Sequence, residues 1–326
     1  MRSIAYLHAM AEFGVEGLVL VEPTAPFVSL GCFDDPDTVD LAFCRKAGIP
    51  VMRRALGGGT VLLGPGQVFY QLVLKRDNAH VRGTVSEVFR RLSQAPIEAY
   101  RRLGIDVRYR PLTDLVTKNE RKISGQGAAE INGHFCYAGA MLGDFDTDLM
   151  HRVLNAGNAR HRSRILRALN DNMTWIAREL GHPIATEQVV SALRASFTLV
   201  LGVLAEDSLA EPVVARARDL ETELASEEAL AIDDAKPRHV LKIREGICLR
   251  HDRRTIGGVD VEVHVDIEDD RIAIIEICGI PGGDAIARAL RGTPFACPAV
   301  AEALSRTRLP AGVAAADLAR LVVGVS

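Results

Sequence analysis

Arg53-Arg54-Ala55-Leu56-Gly57-Gly58-Gly59-Thr60-Val61 sets three consecutive glycines behind a pair of arginines and ahead of an apolar run. Glycine, with no side chain, lets backbone approach a ligand closely and accepts positive φ. Guanidinium forks suit carboxylate or phosphate oxygens. Runs of strand character flank the glycines: Ile49-Pro50-Val51-Met52 before them, and Val61-Leu62-Leu63 and Val68-Phe69-Tyr70-Gln71-Leu72-Val73-Leu74 after. The glycines therefore read as a strand-to-strand turn with exposed N–H groups. They are neither a Gly-x-Gly-x-x-Gly opening a helix nor a Walker loop, because no Gly-Lys-Ser/Thr follows. A flexible hairpin fits the same residues.

Working outward, the 326 residues are enough for a sizeable core and more than one domain. The composition, 48% hydrophobic and 25% charged, is that of a globular protein, and a net charge of −3 gives no global electrostatic reason to bind nucleic acid. Cys32, Cys44, Cys136, Cys248, Cys278 and Cys297 show no Cys-x-x-Cys spacing, which speaks against zinc and against a disulfide scaffold. No signal-peptide layout and no apolar run of roughly 18 residues is present, so a soluble, cytoplasmic protein is expected, away from membranes. Of 39 basic side chains only six are lysines: Lys46, Lys75, Lys118, Lys122, Lys236 and Lys242. A lysine inside a Gly/Ser-rich strand therefore invites a functional reading.

Local patterns predict a helix over 2–13, strands over 18–21 and 27–31, and a helix capped by Asp37 and closed by Gly48. A helix over 84–103, broken or kinked at Pro96, precedes strands at 107–110, 114–118, 121–130 and 134–142. Asp146 or Thr147 can cap the next helix, and 172–231 turns helical. The polar stretch Ile232-Asp233-Asp234-Ala235-Lys236-Pro237 reads as a boundary between domains 1–232 and 233–326. Beyond it, strands are predicted at 239–249, 259–267 and 271–278, with one face of Val259-Asp260-Val261-Glu262-Val263-His264-Val265 buried. Helices follow at 285–290, with Asp284 as N-cap, and at 299–305 and 315–323. The class is α+β: a larger mixed sheet with helices, then a smaller α+β domain.

Three further stretches follow the glycines in order: Asp114-Leu115-Val116, Arg121-Lys122-Ile123-Ser124-Gly125-Gln126-Gly127, and Gly139-Ala140-Met141-Leu142. Together with Arg-Arg-x-x-Gly-Gly-Gly they resemble the lipoate–protein ligase family, which belongs with the octanoyltransferases and biotin ligases. The likeness runs over about 18–181, and a weaker one over about 239–292 resembles the accessory lipoate-binding domain of two-domain ligases. The resemblance implies a mixed-sheet catalytic domain of the biotin/lipoate ligase type that activates lipoate or octanoate with ATP and Mg2+. The acyl-AMP would then acylate a lysine of a lipoyl carrier protein: a dehydrogenase acyltransferase subunit, the glycine cleavage H protein or a specialised lipoate-binding protein. It makes Lys122 the catalytic lysine beside the adenylate, with Lys118 outside the motif. Arg54, with Arg53 as second choice, would hold phosphate or carboxylate oxygens, and the other would form a structural ion pair. Gly57, Gly58 and Gly59 would line one wall of an acyl groove, and Ser124, Gly125, Gly127 and Gly139 belong to its other side. Asp114 would bind adenine or orient the lysine, unless it is a turn cap.

Two departures bear on the chemistry. Many family members carry x-His-Asp where this chain has Leu62-Leu63-Gly64, and His-Gly where it has Ala138-Gly139. An alternative is an ATP-independent octanoyl transferase using Cys136 as acyl-thioester nucleophile, and another is a non-catalytic lipoyl-binding relative; a buried structural thiol is the plainer reading of Cys136. The basic run 158–167 reads as a mobile loop over ATP phosphates or as a solvated helix face. Asp144, Asp146 and Asp148 lack the glycine and terminal glutamate of a calcium loop, so no protein metal site is expected.

Overall fold

A computed structural model of the chain describes residues 1–231 and 240–325. The predicted boundary at 232–237 lies outside the described residues, as does the start of the strand predicted from 239. In chain order, the elements open with α1 (Arg2–Glu12), β1 (Gly17–Val21), β2 (Phe27–Leu30), α2 (Leu41–Ala47), β3 (Val51–Arg53), β4 (Val61–Leu63) and β5 (Gln67–Lys75). Next come α3 (Val85–Leu92), α4 (Gln94–Arg102), β6 (Val107–Arg110), β7 (Asp114–Thr117), β8 (Lys122–Ile131) and β9 (His134–Leu142). Five helices follow: α5 (Thr147–Val153), α6 (Ala159–Asn172), α7 (Ile176–Leu180), α8 (Thr186–Leu201) and α9 (Glu211–Glu223), then the short α10 (Glu227–Leu230). The chain ends with β10 (Val240–Arg244), β11 (Ile247–Ile256), β12 (Val259–Glu268), β13 (Arg271–Cys278), α11 (Gly283–Leu290), α12 (Cys297–Ser305) and α13 (Ala315–Val323). Among the described residues, no helix is long and apolar enough to cross a membrane.

Contacts divide the described residues into two compact units, 1–154 with 169–231 and 155–168 with 240–325. The first unit holds a six-stranded sheet in the order β1-β5-β9-β8-β7-β6 and a three-stranded sheet in the order β3-β2-β4. Alternation along β5 gives the larger sheet two faces. Val68, Tyr70, Leu72 and Leu74 pack with Leu92, Ala99, Leu193 and Phe197 of α3, α4 and α8. Val73 packs on the other side with Leu7 and Met10 of α1 and Leu220 of α9, and Gln71 Nε2 donates to Ser3 O on that same side.

Caps explain several helix starts and correct others. Thr84 begins α3 in a capping box, accepting from Glu87 N at 3.3 Å while Glu87 Oε2 accepts from Thr84 N at 2.8 Å. The helical run expected over 84–103 breaks at Ser93, and Pro96 sits in the first turn of α4, where its missing N–H breaks no helical bond. Asp40, not Asp37, caps α2, accepting from Phe43 N at 2.8 Å. Asp37 lies instead inside a short 3-10 turn, its N–H held by Asp35. The N-cap of α11 is Gly282 at φ 75°, and Asp284 falls in the first turn, where its charge favours the helix dipole.

The second unit is a four-stranded antiparallel sheet, β10-β11-β12-β13. The single strand predicted over 239–249 is two, because Gly246 at φ 78° turns the chain between β10 and β11. Val261, Val263 and Val265 of β12 pack with Ile286, Leu290, Val300, Leu318 and Leu321, as the predicted alternation requires.

Candidate functional site

The glycine stretch does not make a simple hairpin: β3 and β4 lie on either side of β2, so the loop between them crosses the end of that strand. The crossing is close. A Cβ at Gly31 would collide with the carbonyl oxygen of Gly58, itself at φ 97°. Both arginines are buried and hold this loop from within. Arg54 donates from Nη1 to Ser29 O at 2.8 Å and from Nη2 to Gly59 O at 2.7 Å and Gly57 O at 3.2 Å. Arg53 donates to Gly31 O and Asp34 O at 2.8 Å, Leu230 O at 2.7 Å and Ala229 O at 2.8 Å. The division of labour predicted for the pair, one on an anion and one in an ion pair, gives way to two forks on backbone carbonyls. Burial lowers Arg54 to about 10, with Asp34 pulling the other way, so it stays charged near neutrality. Among the described residues the N–H groups of Gly58 and Gly59 have no hydrogen-bond acceptor.

Lys122 opens β8, where its backbone carbonyl accepts from Thr174 N at 2.8 Å. Its ammonium lies 2.9 Å from Oδ1 of Asp114, which is fully buried, while the lysine side chain keeps 17% of its exposure. Asp114 is the register partner of Gly125, and a bulge between Leu115 and Val116 separates that pairing from the pairing of Val116 with Lys122. Glycine at 125 is what lets the lysine lie across the strand: a Cβ there would stand 3.1 Å from Lys122 Cε and 3.2 Å from Nζ. Two residues on, and so on the same face, a Cβ at Gly127 would stand 2.8 Å from Gly57 O. Lys122 with Asp114, and the loop of Gly57, Gly58 and Gly59 with Arg54, thus meet one strand face, the first at Gly125 and the second at Gly127.

Ser124 and Gly139 do not join them. Ser124 is fully buried and donates to Ala140 O at 2.6 Å. Gly139 makes room for the ring of Tyr70 on the face covered by α3, α4 and α8. Lys118 is exposed, outside this arrangement. Cys136 is fully buried, with Val73 and Met10 in its cluster, and burial pushes its thiol up to about 12. Asp146 caps α5 and Asp144 accepts from Phe145 N, so both have local structural work.

The run 158–167 is neither a loop nor wholly solvated: from Ala159 it is helix, and it groups with the second unit. Arg160 and Arg164 pair there with Glu276 and Asp266. Sequence reading missed what surrounds them, a cluster of His161, His251, Glu262 and His264. Only the Glu262-x-His264 alternation was visible locally; His251 and His161 arrive through sheet pairing and helix packing.

A family model for the lipoyl protein ligase A/B catalytic domain matches residues 5–198. An octanoyltransferase LipM from Kyrpidia tusciae is 24% identical over 204 residues, covering 53% of this chain and 74% of its own. A solved structure from a structural analysis of an archaeal lipoylation system, a bi-partite lipoate protein ligase and its E2 lipoyl domain from Thermoplasma acidophilum, is similar with a TM-score of 0.63 and 26% identity, covering 72% of this chain and 93% of that one. A lipoate-protein ligase A bound with ATP is similar with a TM-score of 0.58 and 25% identity, covering 70% and 92%.

Proposed function

The chain belongs to the lipoyl protein ligase A/B catalytic family, and on that premise we propose that it is an ATP-dependent lipoate–protein ligase, accepting lipoate or octanoate. The observation that carries this reading is the Lys122 ammonium, held by buried Asp114 across Gly125 on the strand face that carries the glycine loop. A carboxylate does not acylate an amine until its oxygen becomes a leaving group. In the first step an acyl carboxylate oxygen attacks the α-phosphorus of ATP, and the bond to pyrophosphate breaks. In the second a carrier lysine, as free amine, attacks the acyl carbonyl; AMP departs and the amine proton passes to solvent. Negative charge grows at the phosphate in one step and at the carbonyl oxygen in the other. A fixed ammonium and unpaired N–H groups on the same strand face can stabilise both without reorganising.

Within this reading Lys122 touches the reacting groups, Asp114 orients it, and Gly58 and Gly59 offer N–H donors. Arg54 acts by shaping the loop, since its bonds go to carbonyls of Ser29, Gly57 and Gly59. Gly125 and Gly127 supply clearance, while Ser124 and Gly139 support the strands from the other face. Mg2+ would arrive on the ATP phosphates, because Asp114 is engaged by Lys122 and Asp34 by Thr60 and Gly31 N–H. The similarity to a lipoate-protein ligase bound with ATP supports the nucleotide, and that to a bi-partite ligase described alongside its E2 lipoyl domain supports a lipoyl-domain acceptor.

The similarity to an octanoyltransferase favours a second reading, transfer from an acyl carrier through a cysteine thioester without ATP. Against Cys136 in that role stands a thiol raised to about 12 by burial, since the thiolate is the nucleophile. Incubating the protein with lipoate and a lipoyl domain, then reading the domain's intact mass, separates the readings. Acylation only when ATP is present supports the ligase. Acylation from an octanoyl carrier without ATP supports the transferase, and neither reaction points to a non-catalytic relative.

A further inference from the structure

Alternation gives β12 two unlike faces. Val261, Val263 and Val265 enter the apolar core of the second unit, which leaves Glu262, His264 and Asp266 on the opposite face. His251 of β11 is the cross-strand partner of His264, and Glu276 of β13 is its partner on the other side. Residues 155–168 pack against this polar face. Arg164 pairs with Asp266 at 2.7 Å and Glu276 at 3.1 Å, and Arg160 pairs with Glu276 at 2.8 Å. Those ion pairs account for the outer carboxylates. The centre is left to imidazoles: the rings of His251 and His264 stack at 4.7 Å, and His161 stands 5.2 and 5.6 Å from them.

That centre is costly as it stands. His264 is 1% exposed and His161 5%, and the Nδ1 atom of each is buried without a hydrogen-bond partner. Glu262 Oε1 is approached by His251 Nε2 at 2.8 Å, His264 Nε2 at 3.3 Å and Asn158 Nδ2 at 2.5 Å. Among the described residues, Glu262 makes no direct ion pair with an arginine or lysine, and its cross-strand neighbour Arg253 pairs with Asp260 instead. The donor atoms of His251, Glu262 and His264 all lie within 4.8 Å of one another. Ligands at about 2.0–2.2 Å from one ion stand up to about 4 Å apart, so side-chain rotations that move the donors by about 1 Å or less bring all three onto a single cation. Two imidazole nitrogens with one carboxylate oxygen suit a borderline divalent ion such as Zn2+ or Co2+ better than Mg2+ or Ca2+.

We propose that His251, Glu262 and His264 bind one divalent transition-metal ion, with His161 and Asn158 closing the site from the segment at the start of α6. Nothing in the adenylation chemistry uses this site. The test takes the full chain, stripped with a chelator and titrated with Co2+. Visible ligand-field absorption should saturate at one equivalent and disappear as Zn2+ displaces the cobalt. Glu262→Gln keeps a hydrogen-bonding side chain and removes the charge; it should weaken Zn2+ binding by at least roughly 100-fold and abolish the rise in melting temperature that Zn2+ gives the native chain. His264→Ala should do the same, and if it fails to fold, Glu262→Gln alone decides. Saturable binding that Glu262→Gln leaves unchanged, or a thiolate-to-cobalt charge-transfer band, would assign the metal elsewhere and overturn the proposal. So would the lack of any saturable binding at micromolar Co2+, which would leave a hydrogen-bonded histidine cluster and no metal site.

Discussion

The face of β8 that carries Gly125 and Gly127 and the face of β12 that carries Glu262 and His264 are produced by the same strand alternation and used in opposite ways. On β8 side chains are removed, so that a lysine and a glycine loop can lie against bare strand. On β12 they are kept, and neighbouring strands and a helix bring further imidazoles to meet them. The first strategy concentrates on one cation and backbone donors, which suits charge that appears only during a reaction. The second concentrates on lone pairs, which suits an ion held at rest. One writes itself into consecutive residues; the other is assembled from positions far apart in the chain.

The largest single effect expected from this contrast lies at Lys122. Lys122→Ala should still fold, because the side chain lies outside the described core clusters of its unit, but with lower stability, because buried Asp114 loses its ammonium partner. It should lower kcat by about 100–1000-fold, the roughly 3–4 kcal/mol typical of losing one donor at a developing charge. Near-native kcat at saturating ATP and lipoate would remove the lysine from the chemistry.

Clearance comes next. At Gly127 an added Cβ would meet Gly57 O at 2.8 Å, so Gly127→Ala must displace the glycine loop. We expect a loss of kcat of about 100-fold, since displacement of positioned groups by about 1 Å costs that much. Unchanged activity with unchanged stability would mean that the loop does not bear on the reaction.

Asp114→Asn removes the partner of the ammonium while keeping the shape. With Asp114 fully buried and Lys122 partly exposed, unfolding measurements should show a loss of about 1.5–3 kcal/mol, and activity should fall as the lysine loses its orientation. Stability equal to the native chain would show that the pair contributes nothing.

Smallest in activity is Cys136→Ser, expected to stay within about 3-fold of native kcat, while a buried hydroxyl in an apolar setting costs about 1–3 kcal/mol of stability. With the folded-state thiol near 12, the reactive thiolate is negligible at pH 8 and grows only as pH rises toward that value. Iodoacetamide should therefore spare Cys136 in the native chain and label it after unfolding. An acylated peptide containing Cys136, trapped from turnover, would contradict the assignment and favour the transferase.

What could be read in advance follows from how local each determinant is. The α+β class, a helix beginning at Thr84, and the buried face of 259–265 are all written in short periods. So is the proximity of Lys122 to Gly125, inside one motif. Asp37 and Asp284 look like caps as well as Asp40 does, and only the backbone path decides which aspartate reaches the orphan N–H groups. Arginine next to glycines reads as an anion binder, but β2 supplies the Ser29 carbonyl and the loop its own, and these absorb the fork of Arg54. The histidine cluster was illegible because His161, His251 and His264 share no spacing; strand pairing and the packing of 155–168 bring them together.

The central claim is that this glycine-cleared face activates a carboxylate with ATP. Lipoate-dependent exchange of labelled pyrophosphate into ATP measures that step alone, with no carrier protein and no second reaction. The account predicts exchange that requires lipoate and Mg2+, is lost in Lys122→Ala and persists in Cys136→Ser. Lack of exchange in the native chain, alongside acyl transfer from an octanoyl carrier without ATP, would contradict it.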